Sequence, residues 1–154
     1  MSLFEDEQYE YHETLFIFLD QENRPDADTI HQSIQDLGPR FEIADFRNSS
    51  GRLDSMMIRS PQDFSAMDIV FVDGGEVQTQ IEEVLDDFRA VTLVDDDKQK
   101  LDRIKSCDSR IDVFHFARKQ SGGGEDELLD PGGLFLVMGR LAELCDGIAL
   151  DPQS

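Results

Sequence analysis

Between Pro39 and Pro61 the chain reads "RFEIADFRNSSGRLDSMMIRS": two runs of mixed apolar and polar residues divided by Asn48-Ser49-Ser50-Gly51. Alternation at a period of two is strand patterning, and a short polar break containing glycine between two such runs reads as a tight turn. An antiparallel hairpin in the middle of the chain constrains its surroundings, because any sheet that forms must accept this pair; a purely parallel sheet is excluded. With residues 48–51 as a four-residue turn, Phe41 faces Ile58 and Ile43 faces Met56. Nearer the tip Asp45 meets Asp54 and Arg47 meets Arg52, so each Asp finds an Arg of the other strand on the diagonal. The apolar base is expected to dock on a core and the tip to stand in water.

The flanking segments alternate between strand and helix signals. Leu15–Leu19 is a continuous apolar run, the pattern of a strand buried on both faces. "RPDADTIHQSIQDLGP" predicts a helix capped by Asp26 or Asp28, with Ile30, Ile34 and Leu37 on one face and Gly38-Pro39 as its stop. "MDIVFVDGG" predicts a strand ending at Asp73. "EVQTQIEEVLDDF" predicts an amphipathic helix with Val77, Ile81, Val84, Leu85 and Phe88 on one side and Glu82, Glu83, Asp86 and Asp87 on the other. Leu93, Leu101 and Ile104 fall off that stripe, so the helix ends or bends near residues 90–94 and a second helix begins at Asp95-Asp96-Asp97. "SRIDVFHFARK" is a strand and "QSGGGEDELLDPGG" an internal loop. Asp130 and Pro131 then cap and open the helix "GLFLVMGRLAELCD"; Gly147 ends it, and "IAL" adds a last strand.

A hairpin flanked by strand–helix–strand units implies an α+β chain. The expected form is a ferredoxin-like β-α-β-β core with additional strand and helix units, a mainly antiparallel sheet and helices on one face. Reading "AVTLV" as a strand gives the alternative, an alternating α/β sandwich. Residues 1–11 read as an acidic flexible lead and 12–154 as a single globular domain. Phe16, Phe18, Ile34, Ile43, Ile81, Leu85, Val113 and Leu141 are expected in the core and residues 48–51 in solvent.

Charge limits the function classes. Thirty-four acidic residues against fourteen basic ones give a formal net charge of −20, which repels nucleic-acid phosphate and anionic membrane and favours a basic protein, divalent cations or plain solvation. No basic stripe or nucleic-acid module interrupts this pattern. The run "LFLVM" is far shorter than the roughly 20 residues that span a bilayer, and the acidic start lacks the regions of a signal peptide. Cys107 and Cys145 have no metal-ligand spacing and do not make a disulfide framework. The expectation is a cytoplasmic protein with reduced thiols and no nucleic-acid or membrane partner.

The segment "VTLVDDDKQKL" resembles the first strand of a phosphate-accepting receiver domain. The strand that would carry the accepting aspartate, "DIVFVDGG", precedes it instead of following, so the resemblance fails on order. Clustered carboxylates are nonetheless hard-cation ligands, which makes Asp73, Asp95, Asp96 and Asp97 the metal candidates. Against them, consecutive helical side chains diverge by about 100°, and acids in a first turn are accounted for by the helix dipole. His12, His31 and His115 show neither HxH nor HxxxH spacing, and His115, alternating with aromatics in a strand, reads as a hydrogen-bonded structural histidine. The glycine clusters read as turns. These residues therefore assign no catalytic group, metal or cofactor.

The expected function is a non-enzymatic binding or regulatory module for a basic protein, inhibitor- or immunity-like, with Glu82, Glu83, Asp86 and Asp87 as its contact face. Two alternatives stand beside it: a metal-dependent phosphate-handling enzyme using the aspartates, and a small-ligand-sensing or oligomeric structural domain.

Overall fold

The computed structural model describes residues 7–88, 95–118 and 132–150. In chain order they form β1 (Tyr9–Leu19), α1 (Ala27–Gln35), β2 (Glu42–Ser49), β3 (Arg52–Ser60), β4 (Ser65–Asp73), α2 (Gly75–Phe88), α3 (Asp95–Lys105), β5 (Ser109–Arg118), α4 (Gly132–Cys145) and β6 (Ile148–Leu150). The strands build one six-stranded sheet in the order β2-β3-β4-β5-β1-β6, with every neighbouring pair antiparallel. The chain is thus α+β.

The helices cover both faces of the sheet, which corrects the expectation of one covered face. Leu15, Ile17 and Leu19 of β1, Met67 and Ile69 of β4, and Ile111 and Val113 of β5 pack with Ile30 and Ile34 of α1 and with Leu134, Val137 and Leu141 of α4. Phe16, Phe18 and Val72, which alternate with them, pack with Val77, Ile81 and Val84 of α2 and Ile104 of α3. The physical reason lies in the apolar run of β1: with no polar side to present to water, it needs a helix layer above and below. The ferredoxin-like core is not confirmed, since β4 and β5 stand between β1 and β3. "AVTLV", the glycine-rich loop and Asp130-Pro131 lie outside the described residues.

The hairpin forms with a shorter turn than expected. Ile43 pairs with Ile58 and Ser49 with Arg52, leaving Ser50 and Gly51 as a two-residue connection at φ 54° and 83°. Positive φ at both central positions is the type I′ combination, whose twist matches that of the strands it joins. At its base and tip the pairing differs by two residues from a four-residue turn, but the register shifts on either side of Arg47. Phe46 and Leu53 therefore join Ile43, Met56 and Ile58 on the core face instead of lying opposite to it. The charges at the tip pair differently as a result. Ser49 Oγ donates to Asp54 at 2.5 Å, and Arg52 reaches Asp73 at 3.6 Å.

Local signals account for the helix ends. Asp26 caps α1 by accepting from the Thr29 backbone N–H at 2.8 Å, and that bond holds its carboxyl below the usual range. Asp146 at φ 49° takes the left-handed position after α4. Gly147 then passes so close to β1 that a Cβ would lie 2.9 Å from the Phe18 carbonyl oxygen. Strand β1 starts at Tyr9, inside the stretch read as a loose lead. Of the expected core, Phe18, Ile34, Ile81, Val113 and Leu141 are buried, while Phe16, Ile43 and Leu85 are half-buried and residues 48–51 exposed. No helix among the described residues is long and apolar enough to cross a membrane.

Candidate metal centre

Strands β1 and β5 pair along most of their length, with one irregularity: Tyr11 lies opposite Phe116 and Glu13 opposite His115, so β1 carries an extra residue, His12. Such a bulge changes which side chains share a face. Counting back from Leu15 and Ile17, alternation puts Glu13 on the face that carries α1 and α4. Tyr11 is on the other face, edge-on to Phe116 with ring centroids 5.8 Å apart. Between them, the inserted His12 is free to join Glu13. His115 follows Ile111 and Val113 on the same face, and the three side chains meet there.

Their ligand atoms all lie within 4.8 Å of one another. His12 Nδ1 is 3.6 Å from Glu13 Oε1, and His115 Nδ1 is 3.7 Å from the same oxygen. The two imidazoles stand edge to face with centroids 5.5 Å apart. A tetrahedral ion at about 2.0–2.2 Å from nitrogen and carboxylate ligands needs them roughly 3.3 Å apart, so a small contraction brings the trio to bonding geometry. His12, 42 % exposed at its side chain, is the member free to make that adjustment.

His115 does not match the sequence reading of a hydrogen-bonded structural histidine. It is fully buried, and neither ring nitrogen has a hydrogen-bond partner among the described residues. A buried polar group left unpaired costs about 1–3 kcal/mol, and such exceptions call for an explanation. Burial, and after it the neighbouring His12, pushes the imidazole down to about 4. The ring is therefore neutral at physiological pH, and the close approach of Glu13 is not an ion pair. A neutral imidazole with an unused lone pair beside a carboxylate is a donor set for a divalent ion.

The residues singled out from sequence lie elsewhere. Asp73, half exposed at the end of β4, is within 3.6 Å of Arg52 and 4.0 Å of Arg24, so its carboxylate is engaged by two guanidinium groups. Asp95, Asp96 and Asp97 open α3; their side chains, like that of Asp87, lie outside the described residues. Glu82, Glu83 and Asp86 are exposed on α2, opposite buried Val77, Ile81 and Val84. His31 is half-buried and meets Phe46 edge-on at 5.0 Å. No spacing rule marks His12 and His115 as partners, because the strand pairing and the bulge bring them together. No family model matches the chain, and comparison with curated proteins and with solved structures gives no significant match.

Proposed function

We propose that this chain binds one divalent first-row transition-metal ion, of the zinc class, through His12, Glu13 and His115. The observation that carries this reading is His115, a fully buried imidazole without a hydrogen-bond partner among the described residues, 3.7 Å from the carboxylate of Glu13. Two imidazoles and one carboxylate select zinc and its neighbours over magnesium and calcium, which prefer all-oxygen shells. Calorimetric titration of the metal-free protein with zinc tests it. The expected result is one tight site that resists millimolar magnesium and weakens roughly 100-fold in Glu13→Gln and in His115→Leu. Weak, multiple binding that is the same in wild type and both variants would show only counterions around the acidic surface and defeat the reading.

A second reading, recognition of a basic protein, has its support in the net charge and in Glu82, Glu83 and Asp86 standing exposed on one side of α2. It is compatible with the first, since α2 lies on the sheet face opposite to the histidines.

A further inference from the structure

We propose that the clefts between the hairpin tip and the start of α1 bind a free α-amino acid, with Arg24 and Arg52 holding its carboxylate and Asp54 and Asp73 its ammonium group. The place is separate from the histidine cluster: Asp73 ends β4, six residues and so about 20 Å along the strand from Met67, which lies opposite His115.

Two segments build it. The Ala27 backbone N–H donates to the Gly51 carbonyl at 2.8 Å, which ties the two-residue turn of the hairpin to the first turn of α1. Arg24, just before that helix, and Arg52, just after that turn, thereby share the walls of two clefts. The smaller, of about 160 Å³, is completed by Ser49, Asp54, Phe71 and Asp73. The larger, of about 600 Å³, is completed by Gln21, Pro25, Asp26, Ser50 and Gly51, and its volume is within the range of small-molecule sites.

Arg24 is the observation that carries the proposal. Its side chain is only 8 % exposed, its guanidinium lies 4.3 Å over the Phe71 ring, and Nη2 donates to the Leu53 carbonyl. Its buried Nε has no hydrogen-bond partner among the described residues. The Asp73 carboxylate is 4.0 Å from Arg24 Nη1 and 3.6 Å from Arg52 Nη2. That is close enough to pair the charges and too long for a charge-assisted hydrogen bond, which measures about 2.7–2.9 Å. Burial, and after it the neighbouring Arg52, holds the Arg24 guanidinium below its usual range. A ligand carboxylate received by both guanidinium groups offsets their mutual repulsion and takes up donors of the fork.

A simple anion suits the place poorly, because Asp54 and Asp73 stand in the smaller cleft beside the arginines. A molecule with both charges close together matches it. Asp54 accepts from Ser49 Oγ at 2.5 Å, which orients a carboxylate that has acceptor capacity for an ammonium group as well. In an α-amino acid the carboxylate and the ammonium group are carried on one carbon, so they meet the arginines and the aspartates together. The side chain leaves that same carbon toward the larger cleft.

The test is a thermal-shift screen of the protein against the standard amino acids at millimolar concentration. Calorimetric titration follows with the one that stabilises most, beside its two analogues that lack either the ammonium or the carboxylate group. Expected is a single saturable site for the amino acid, weaker by about tenfold or more for each analogue and in Arg52→Met and Asp54→Asn. Both substitutions fall at exposed positions, and circular dichroism checks that the variants fold. Binding of inorganic phosphate or of the analogue without the ammonium group as tightly as the amino acid would overturn the assignment and indicate an anion site. No amino acid bound, or binding unchanged in both variants, would overturn it as well and leave a surface ion-pair cluster.

Discussion

Glu13 lies directly opposite His115 because β1 holds one residue more than β5 at that point. The extra residue is His12, and the consequence is specific: Tyr11 stays on one face and Glu13 on the other, with His12 inserted between them. Deleting His12 therefore restores unbroken alternation without turning either neighbour over. The expected outcome is a chain that folds with its stability changed by no more than about 1 kcal/mol, since a bulge disrupts the ladder locally, and that has lost its zinc site. Chemical denaturation together with calorimetric titration measures both; a deletion variant that retains the tight site would mean that His12 is not a ligand.

Removal of the imidazole from position 115 separates stability from function. A buried polar group with no partner is a cost to the fold, and replacing it by an apolar group of similar shape is close to neutral or stabilising. The His115→Leu protein is thus expected to melt at the wild-type temperature or above it when metal-free. Wild type gains stability in zinc, about 2.7 kcal/mol at a hundred times its dissociation constant, and the variant, binding about 100-fold more weakly, gains only about 0.4 kcal/mol at the same zinc concentration. A metal-free variant several kcal/mol less stable than wild type would mean that His115 is a satisfied structural residue after all.

The two cysteines give a pH-dependent signature. Burial pushes the thiols of Cys107 and Cys145 up to about 11, so the folded chain carries roughly a hundredfold less thiolate than an ordinary cysteine at pH 8. Iodoacetamide at that pH is expected to label neither thiol in the folded protein and both after unfolding. The linkage has a definite sign. Because the folded value lies above the unfolded one, the contribution to stability is intact below about pH 9 and falls as pH rises toward 11. Denaturant midpoints across pH 8–11 read this out; the Cys107→Ala, Cys145→Ala double variant is expected to have a flatter profile.

The strands and helices were largely legible in the sequence, for local reasons. The Leu15–Leu19 run, the stripe of Val77, Ile81 and Val84, and the cap at Asp26 each act within a few residues, and each holds in the structure. The hairpin was legible in existence but not in register. Ser50-Gly51 and residues 48–51 are both plausible turns on paper, and the choice between them is made by the positive φ at both Ser50 and Gly51. The sheet order was not legible, because antiparallel partners distant in sequence leave no local mark. The candidate site depends entirely on that order. His12 directly follows the acidic stretch that reads as a loose lead and His115 sits in an aromatic strand, and their meeting requires β1 to pair with β5 and to bulge at one residue. The only trace on paper is a histidine beside a glutamate at the mouth of an apolar strand.

The acidic side of α2 bears on the second reading. Glu82, Glu83 and Asp86 are exposed, while Ile81 and Val84, at 3 % and 4 % exposure, anchor the helix on the sheet. Changing the three acids to Gln, Gln and Asn therefore alters charge without touching the packing, and the fold is expected to survive with stability within about 0.5 kcal/mol of wild type. If these carboxylates meet a basic protein, their main effect is on the rate of encounter, since steering acts before contact and is screened over about 8 Å at physiological salt. Association with a cationic probe protein such as a histone is expected to slow in the variant, most strongly at low ionic strength, with the two rates converging as salt is raised. Equal rates for wild type and variant at every salt concentration would reduce this side of α2 to solvation. The histidine cluster provides an internal control: it lies on the opposite sheet face, so zinc affinity is expected to stay the same in the charge variant.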